Sequence, residues 1–388
     1  MYIKRKLEVN VKKALKQFPA VFITGPRQAG KSTLLRHTLS NYNYVNFDNP
    51  LVRSLAQKDP ELFLQNNPTP LIIDEVQYVP ELLSYLKIRI DANRRLMGQY
   101  VLTGSQSFQL MKGISETLAG RIAIFSLYPL SWIEINKLKN PLDDLTCAEQ
   151  TIKGFYPEFF AQPNVDINLW YSSYLTTYLE RDVRNLKNIT DLSRFQTFLG
   201  LLATRAGQLL NLSEIAKECG ITQPTVKDWL SVLEATYIIY LLKPYHINRT
   251  KRLVKSPKLY FVDTGLLCYL LGIDSSERLF KAAERGHIFE NMVIMEAIKH
   301  LSHSVQRSQV YFYRTNNGVE VDLLIEKRGE LFAYEIKFSK TIYIEMCKPL
   351  EQFLSDHEVK RAVLLSLSEK HLNLKSKILA RHWSSISK

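Results

Sequence analysis

At 388 residues the chain is too long for one ordinary hydrophobic core, so two or three domains are expected. A hydrophobic share of 46% is that of a globular protein, and no apolar run approaches the roughly 18 residues of a membrane helix. The basic start Met1-Tyr2-Ile3-Lys4-Arg5-Lys6 also lacks the apolar stretch of a secretory leader, so no membrane partner and a cytoplasmic location are expected. Four cysteines without paired spacing indicate neither a disulfide framework nor a zinc site; a formal charge of +13 favours anionic partners such as nucleic acid without deciding the matter.

The first element in chain order is the apolar, β-branched run at 20–24, which predicts a buried parallel strand. It leads into Gly25-Pro26-Arg27-Gln28-Ala29-Gly30-Lys31-Ser32, glycine, four residues and Gly-Lys-Ser, and Thr33 then opens a helix. Strand, loop and helix are the context a phosphate-binding loop requires. Its glycines let backbone N–H groups turn onto phosphate oxygens, and the helix N-terminus adds a favourable dipole. Lys31 would reach the β and γ phosphates, and Ser32 would offer its hydroxyl to magnesium.

A second strand is expected at 44–48 and a third in Leu71-Ile72-Ile73-Asp74-Glu75, whose acidic end points to the ligand edge of a parallel sheet. Asp74 is the expected magnesium partner. Glu75 is suited to orient and deprotonate a water attacking the γ phosphate. Residues 99–103 predict another strand, ending in Gly104-Ser105-Gln106; Ser105, with Thr103 behind it, is either a polar group at the site or a serine in a tight turn. Arg121, ahead of the apolar run 122–125, could stabilise γ-phosphate charge in cis or from a neighbouring subunit, or simply face solvent.

Taken together, Gly25 to Ser32, Leu71-Ile72-Ile73-Asp74-Glu75-Val76-Gln77, Leu102-Thr103-Gly104-Ser105 and Leu118-Ala119-Gly120-Arg121 resemble the AAA+ superfamily. More narrowly, they resemble the bacterial and archaeal ATPases with a C-terminal domain of the DUF4143 type. That resemblance implies ATP and Mg2+ as cofactors, hydrolysis by an ASCE-type αβα core over residues 1–135, and a sensor role for Ser105.

A junction and helical linker are expected over 136–190, where an aromatic helix runs through Trp170, Tyr171, Tyr174 and Tyr178 toward Glu180-Arg181-Asp182. Residues 212–230 then spell a helix-turn-helix. Ser213 is the expected cap of its first helix, Gly220 its turn and Thr222 the cap of its second, with Ile221, Val226 and Leu230 between the helices. Strands at 237–242 and 258–262 would make it a winged domain over 191–278. Gln223, Thr225 and Lys227 would face a major groove, and the basic run Lys243, His246, Arg249, Lys251, Arg252 and Lys255 would meet phosphates. A protein partner, an intramolecular lid or a solvated basic loop would use the same features.

From 279 to 388 the spacing carries a second chemistry. Gly286-His287-Ile288-Phe289-Glu290 starts a helix, Val319-Glu320-Val321-Asp322 a strand, and Tyr334-Glu335-Ile336-Lys337 a third element. Alternation puts Glu335 and Lys337 on one face, where Asp322 of an adjacent hairpin strand can meet them. Asp322 and Glu335 could then hold magnesium against a scissile phosphate, with Lys337 positioning water. This arrangement resembles the PD-(D/E)xK nuclease superfamily, which implies a site of Glu290, Asp322, Glu335 and Lys337; Val321 stands where a proline is usual. Arg314 could neutralise phosphate or pair with Glu320.

The whole is therefore expected to be an α/β protein: a P-loop αβα parallel-sheet ATPase, a winged helix-turn-helix and a restriction-endonuclease-like C-terminal domain. The leading expectation is an ATPase that controls a DNA-directed, nuclease-like module, with homo-oligomers possible. The alternative is a regulatory or scaffold ATPase whose tail binds nucleic acid or protein and cuts nothing.

Overall fold

The computed structural model describes residues 2–104, 113–114, 116–136, 144–178, 191–245, 255–303, 308–375 and 377–387. They fall into two compact units. One comprises Met1–Leu130, Tyr156–Ala161 and Ala235–Tyr237; the other comprises Ser131–Phe155, Gln162–Glu234 and Ile238–Lys388.

Five short strands build the first unit: β1 (Ala20–Thr24), β2 (Asn43–Asn46), β3 (Leu71–Asp74), β4 (Tyr100–Thr103) and β5 (Ile122–Ser126). All pair in parallel, in the order β2-β3-β4-β1-β5. Unbroken aliphatic runs suit strands covered on both faces, and every residue of β1, β3 and β4 is buried. Alternate residues feed two separate cores. Phe22, Ile73 and Leu102 join Leu82, Leu86 and Ile90 of the Leu82–Ala92 helix on one face. Val21, Ile72 and Val101 join Leu34 and Leu35 of the Lys31–Thr38 helix and Leu7 and Val11 of the Leu7–Ala14 helix on the other. The result is an αβα sandwich with β4 inserted between β1 and β3. Because all strands run the same way, their C-terminal ends share one edge.

In the second unit the helix-turn-helix forms from Leu212–Cys219 and Gln223–Ala235. Gly220 sits at φ 62° after the first helix, as the turn requires. The cap differs from expectation: Asn211, with an extended backbone, accepts from Glu214 N, while Ser213 lies inside the helix and donates to Asn211. A capping residue must stand outside the helical turn it closes, and Ser213 does not. Thr222 does accept from Thr225 N. Trp229 packs edge-on against Phe195 and Phe198 of the Leu192–Thr204 helix.

An antiparallel pair follows, β6 (Ile239–Leu242) and β7 (Lys258–Phe261). The 18-residue helix Arg285–Ser302 then leads into β8 (Ser308–Arg314), β9 (Glu320–Lys327), β10 (Glu330–Lys337), β11 (Arg361–Ser366), β12 (Leu372–Lys375) and β13 (Ile378–His382). These six form one mixed sheet, ordered β12-β13-β11-β10-β9-β8. β8, β9 and β10 are an antiparallel meander, and β11 joins β10 in parallel. Arg328 and Gly329, both at positive φ, make the tight turn from β9 to β10.

Candidate functional site

The loop after β1 is shaped by two glycines with different duties. Gly25 has φ +145°, and a Cβ there would lie 2.1 Å from the Leu127 carbonyl oxygen. Gly30 takes the left-handed region at φ 88° as the cap of the Lys31–Thr38 helix. Gly25→Ala is therefore expected to lower the melting temperature and remove the stabilisation that ATP gives, both read in one thermal-shift series. Lys31 is buried, and its ammonium donates to the carbonyls of Gly25 at 3.0 Å and Pro26 at 2.9 Å. The cation is thus folded across the mouth of its own loop.

Arg5 holds this loop from behind, a role nothing in its sequence surroundings announces. It is 3% exposed and donates through Nη1 to the Ala29 carbonyl at 2.8 Å and through Nη2 to the Tyr128 carbonyl at 2.6 Å. Glu8 accepts from the Arg5 amide and from the Tyr2 hydroxyl, fixing the turn that aims the guanidinium. Arg5→Ala should cost about 3 kcal/mol, since charged hydrogen bonds of this kind contribute roughly 1.5–3 kcal/mol and two buried carbonyls lose a donor. Denaturant unfolding would measure that loss, and a raised KM for ATP should accompany it.

At the shared edge of the sheet, Asp74 ends β3 and is 1% exposed. Two hydroxyls hold its carboxylate: Thr103 at the end of β4 donates to Oδ1, and Tyr44 of β2 donates to Oδ2 at 2.5 Å. Ser32 of the loop acts on the same phenol, opposing the rise in its pKa. Burial, then the Asp74 carboxylate, push the Tyr44 phenol well above its usual range, so it stays a donor. β3 lies two strand spacings from β1, about 10 Å, so Asp74 and the loop's serine share the same edge of the sheet. Hydroxyl and carboxylate are the hard oxygen donors magnesium prefers, so the residues present fit that ion with a triphosphate at the loop.

Glu75 follows at φ 60°, a left-handed conformation that disfavours any residue with a Cβ by roughly 1–2 kcal/mol. Its amide donates to Thr103 Oγ1 at 3.3 Å and its carboxylate accepts from the Gln77 side chain. The sharp turn lifts Glu75 out of the strand and leaves it half-buried beside the fully buried Asp74. Thr103 therefore ties both acids together.

Of the two other expected residues only Arg121 is placed, and it lies away from this group. Ser105 lies outside the described residues. Arg121 precedes β5, and its carbonyl accepts from Ala20 N at the start of β1, the opposite end of the strand from Gly25. There it forms a bidentate pair with Asp91, at 2.7 and 2.9 Å. Five residues of strand, about 16 Å, separate it from the loop of its own chain.

In the second unit the four expected residues do converge. Glu290 of the Arg285–Ser302 helix, Asp322 of β9, and Glu335 and Lys337 of β10 line one cleft of about 590 Å3. Lys337 donates to Glu335 Oε1 at 2.6 Å, and Asp322 Oδ2 accepts from the Ile336 amide at 2.8 Å. Arg314 pairs with Glu320 at 2.8 Å.

The cleft also contains a residue that sequence reading passed over as the first of a wing strand. Lys258 of β7, 2% exposed, donates to Glu290 Oε1 at 3.0 Å and pairs with Glu320. Burial opposes ionisation of Glu290, but the Lys258 ammonium, the nearby His287 and the hydrogen bond from Tyr260 hold its carboxyl down at about 2. Burial and the neighbouring Glu290 push Asp322 up to about 6. Burial and Asp322 push the Glu335 carboxyl well above the usual carboxylate range, against the pull of Lys337. The positive charge set against these carboxylates comes from Lys258 and Lys337. Among the described residues no group of three or more His, Cys, Asp or Glu side chains is arranged to hold a metal.

Comparison with known proteins places these two sites in one context. Residues 17–136 match the family model described as an AAA domain, 145–277 a domain of unknown function (DUF8612), and 285–384 a domain of unknown function (DUF4143). An uncharacterized protein of Mycobacterium tuberculosis is 31% identical over 380 residues, covering 97% of this chain and 83% of its own length. An uncharacterized protein of Haemophilus influenzae is 23% identical over 346 residues, covering 81% and 82%. Among solved structures, a Walker-type ATPase of Pyrococcus abyssi is similar at 14% identity and a TM-score of 0.47, over 70% of this chain and 96% of that one. No described helix is long and apolar enough to cross a membrane. Matched along nearly its whole length by a relative above 30% identity, with an AAA domain at one end and a DUF4143 domain at the other, the chain belongs to the AAA-type ATPases that carry a C-terminal DUF4143 domain.

Proposed function

We propose that the first unit binds ATP with Mg2+ and hydrolyses it, and that its nucleotide state controls what the C-terminal region binds. The observation that carries this reading is Asp74, a buried carboxylate at the ligand edge of the sheet, held by hydrogen bonds from Thr103 and Tyr44. MgATP, when bound, supplies the γ-phosphoryl group and the divalent charge. Lys31 neutralises phosphate charge, and Ser32 and Asp74 offer oxygens to the ion. Glu75 orients a water and takes its proton at the carboxylate, while Gln77 and the Thr103 contact fix its direction. Arg5 keeps the loop backbone in place through Ala29.

For the remainder, the helix-turn-helix and the β6–β7 pair have the makings of a winged helix directed at DNA. Gln223 and Lys227 of its second helix are exposed, as are Lys243 and Lys255; His246, Arg249, Lys251 and Arg252 lie outside the described residues. The C-terminal sheet has the order of elements of a PD-(D/E)xK fold, with helix Glu290 ahead of the β8-β9-β10 meander. Lys258 among its carboxylates favours binding over cleavage, and so favours a regulatory ATPase. ATP turnover with and without single-stranded, duplex and branched DNA tests the coupling. A change in turnover with one DNA form, with that DNA left intact, is the expected result; cleavage of the DNA would overturn the non-cleaving reading.

A further inference from the structure

Three carboxylates of the C-terminal cleft, one from the Arg285–Ser302 helix and two from β9, meet a lysine that comes from β7. Lys258 opens β7, with a side chain 3% exposed; its ammonium lies 3.0 Å from Glu290 Oε1 and 4.0 Å from Asp322 Oδ1 and also pairs with Glu320. Tyr260, two residues along the same face of β7, donates to the same Glu290 oxygen at 2.6 Å. The Phe312 ring closes another side, 5.8 Å from the ammonium. The backbone beneath is pinned as well: Lys258 pairs with Leu242 of β6 and bridges to Leu209. A buried ammonium among three acids, held at both ends, has the charge and the neighbours that a divalent cation would need there.

We propose that Lys258 is a built-in replacement for the divalent cation of this cleft. Ammonium and metal exclude one another, because they repel and compete for the same oxygens of Glu290, Glu320 and Asp322. Of the remaining oxygens, the Ile336 amide occupies Asp322 Oδ2 and Lys337 occupies Glu335 Oε1, while Glu335 Oε2 is buried without a hydrogen-bond partner among the described residues and is the one acceptor left for another cation. The C-terminal module therefore works without metal, and β7 is stapled to the C-terminal sheet by the charge that makes it so. This deepens the non-cleaving reading above and rests on it for its consequence, yet it is tested without nucleic acid, so either can fail alone.

The test is Mn2+ binding to the full-length, nucleotide-free chain, followed by electron paramagnetic resonance. Wild type is expected to show no saturable site that Asp322→Asn removes. Lys258→Met is expected to gain one Mn2+ per chain, lost again in the Lys258→Met, Asp322→Asn double variant. A wild-type site sensitive to Asp322→Asn would overturn the proposal, and so would a folded Lys258→Met variant that gains none. Circular dichroism decides whether that variant is folded; if it is not, the wild-type comparison with Asp322→Asn still decides.

Discussion

Lys31→Ala is expected to weaken ATP binding roughly 100- to 1000-fold, taking turnover with it. The lysine is buried, and its ammonium covers the carbonyls of Gly25 and Pro26. Removing it does more than delete a positive charge: it leaves two carbonyl oxygens bare at the place where phosphate oxygens must come, and like dipoles repel. A loss of that size is about 2.7–4.1 kcal/mol, the lower part of what two charged hydrogen bonds at roughly 1.5–3 kcal/mol each supply. Arg5 cannot substitute, because its guanidinium is spent on the Ala29 and Tyr128 carbonyls behind the loop. Titration with a fluorescent ATP analogue measures the effect. Unchanged affinity would place the nucleotide elsewhere.

Glu75→Gln is expected to separate binding from chemistry. The amide keeps the size of the carboxylate and a carbonyl oxygen for the Gln77 side chain, so the turn at φ 60° should survive. It cannot accept a proton from water, and losing a positioned general base costs roughly 100- to 10,000-fold in rate. ATP affinity should stay within a few fold of wild type, because neither Lys31 nor Asp74 changes partners. Single-turnover hydrolysis of labelled ATP beside equilibrium binding checks both halves.

What could be read in advance was whatever depends on short-range pattern. Three apolar runs each delivered a covered strand, because such a strand needs a continuous aliphatic segment and shows it. The glycine loop and the acids after Ile73 were legible for the same reason. So was the meeting of Asp322 with Glu335 and Lys337, which follows from alternation across one hairpin.

Residues that act across the sequence were not legible. Arg5 reaches Ala29 and Tyr128, 24 and 123 residues away, and looks like part of a basic start. Tyr44 looks like an ordinary strand tyrosine until β2 is seen beside β3. Lys258 finds its acids 32 residues and more down the chain, so only the fold brings them together. Arg121 is a different case, since strand direction alone could have placed it. The loop follows β1 and the arginine precedes β5, and parallel neighbours put those points at opposite edges.

Hydrolysis of ATP under single-turnover conditions with Mg2+, by wild type and Glu75→Gln side by side, tests the central assignment most directly. Wild type should convert bound ATP to ADP, while the variant should hold ATP equally well and leave it intact. Hydrolysis by Glu75→Gln at the wild-type rate would contradict the assignment of that turn as the catalytic one. Failure of the wild type to bind ATP at all would contradict the loop itself.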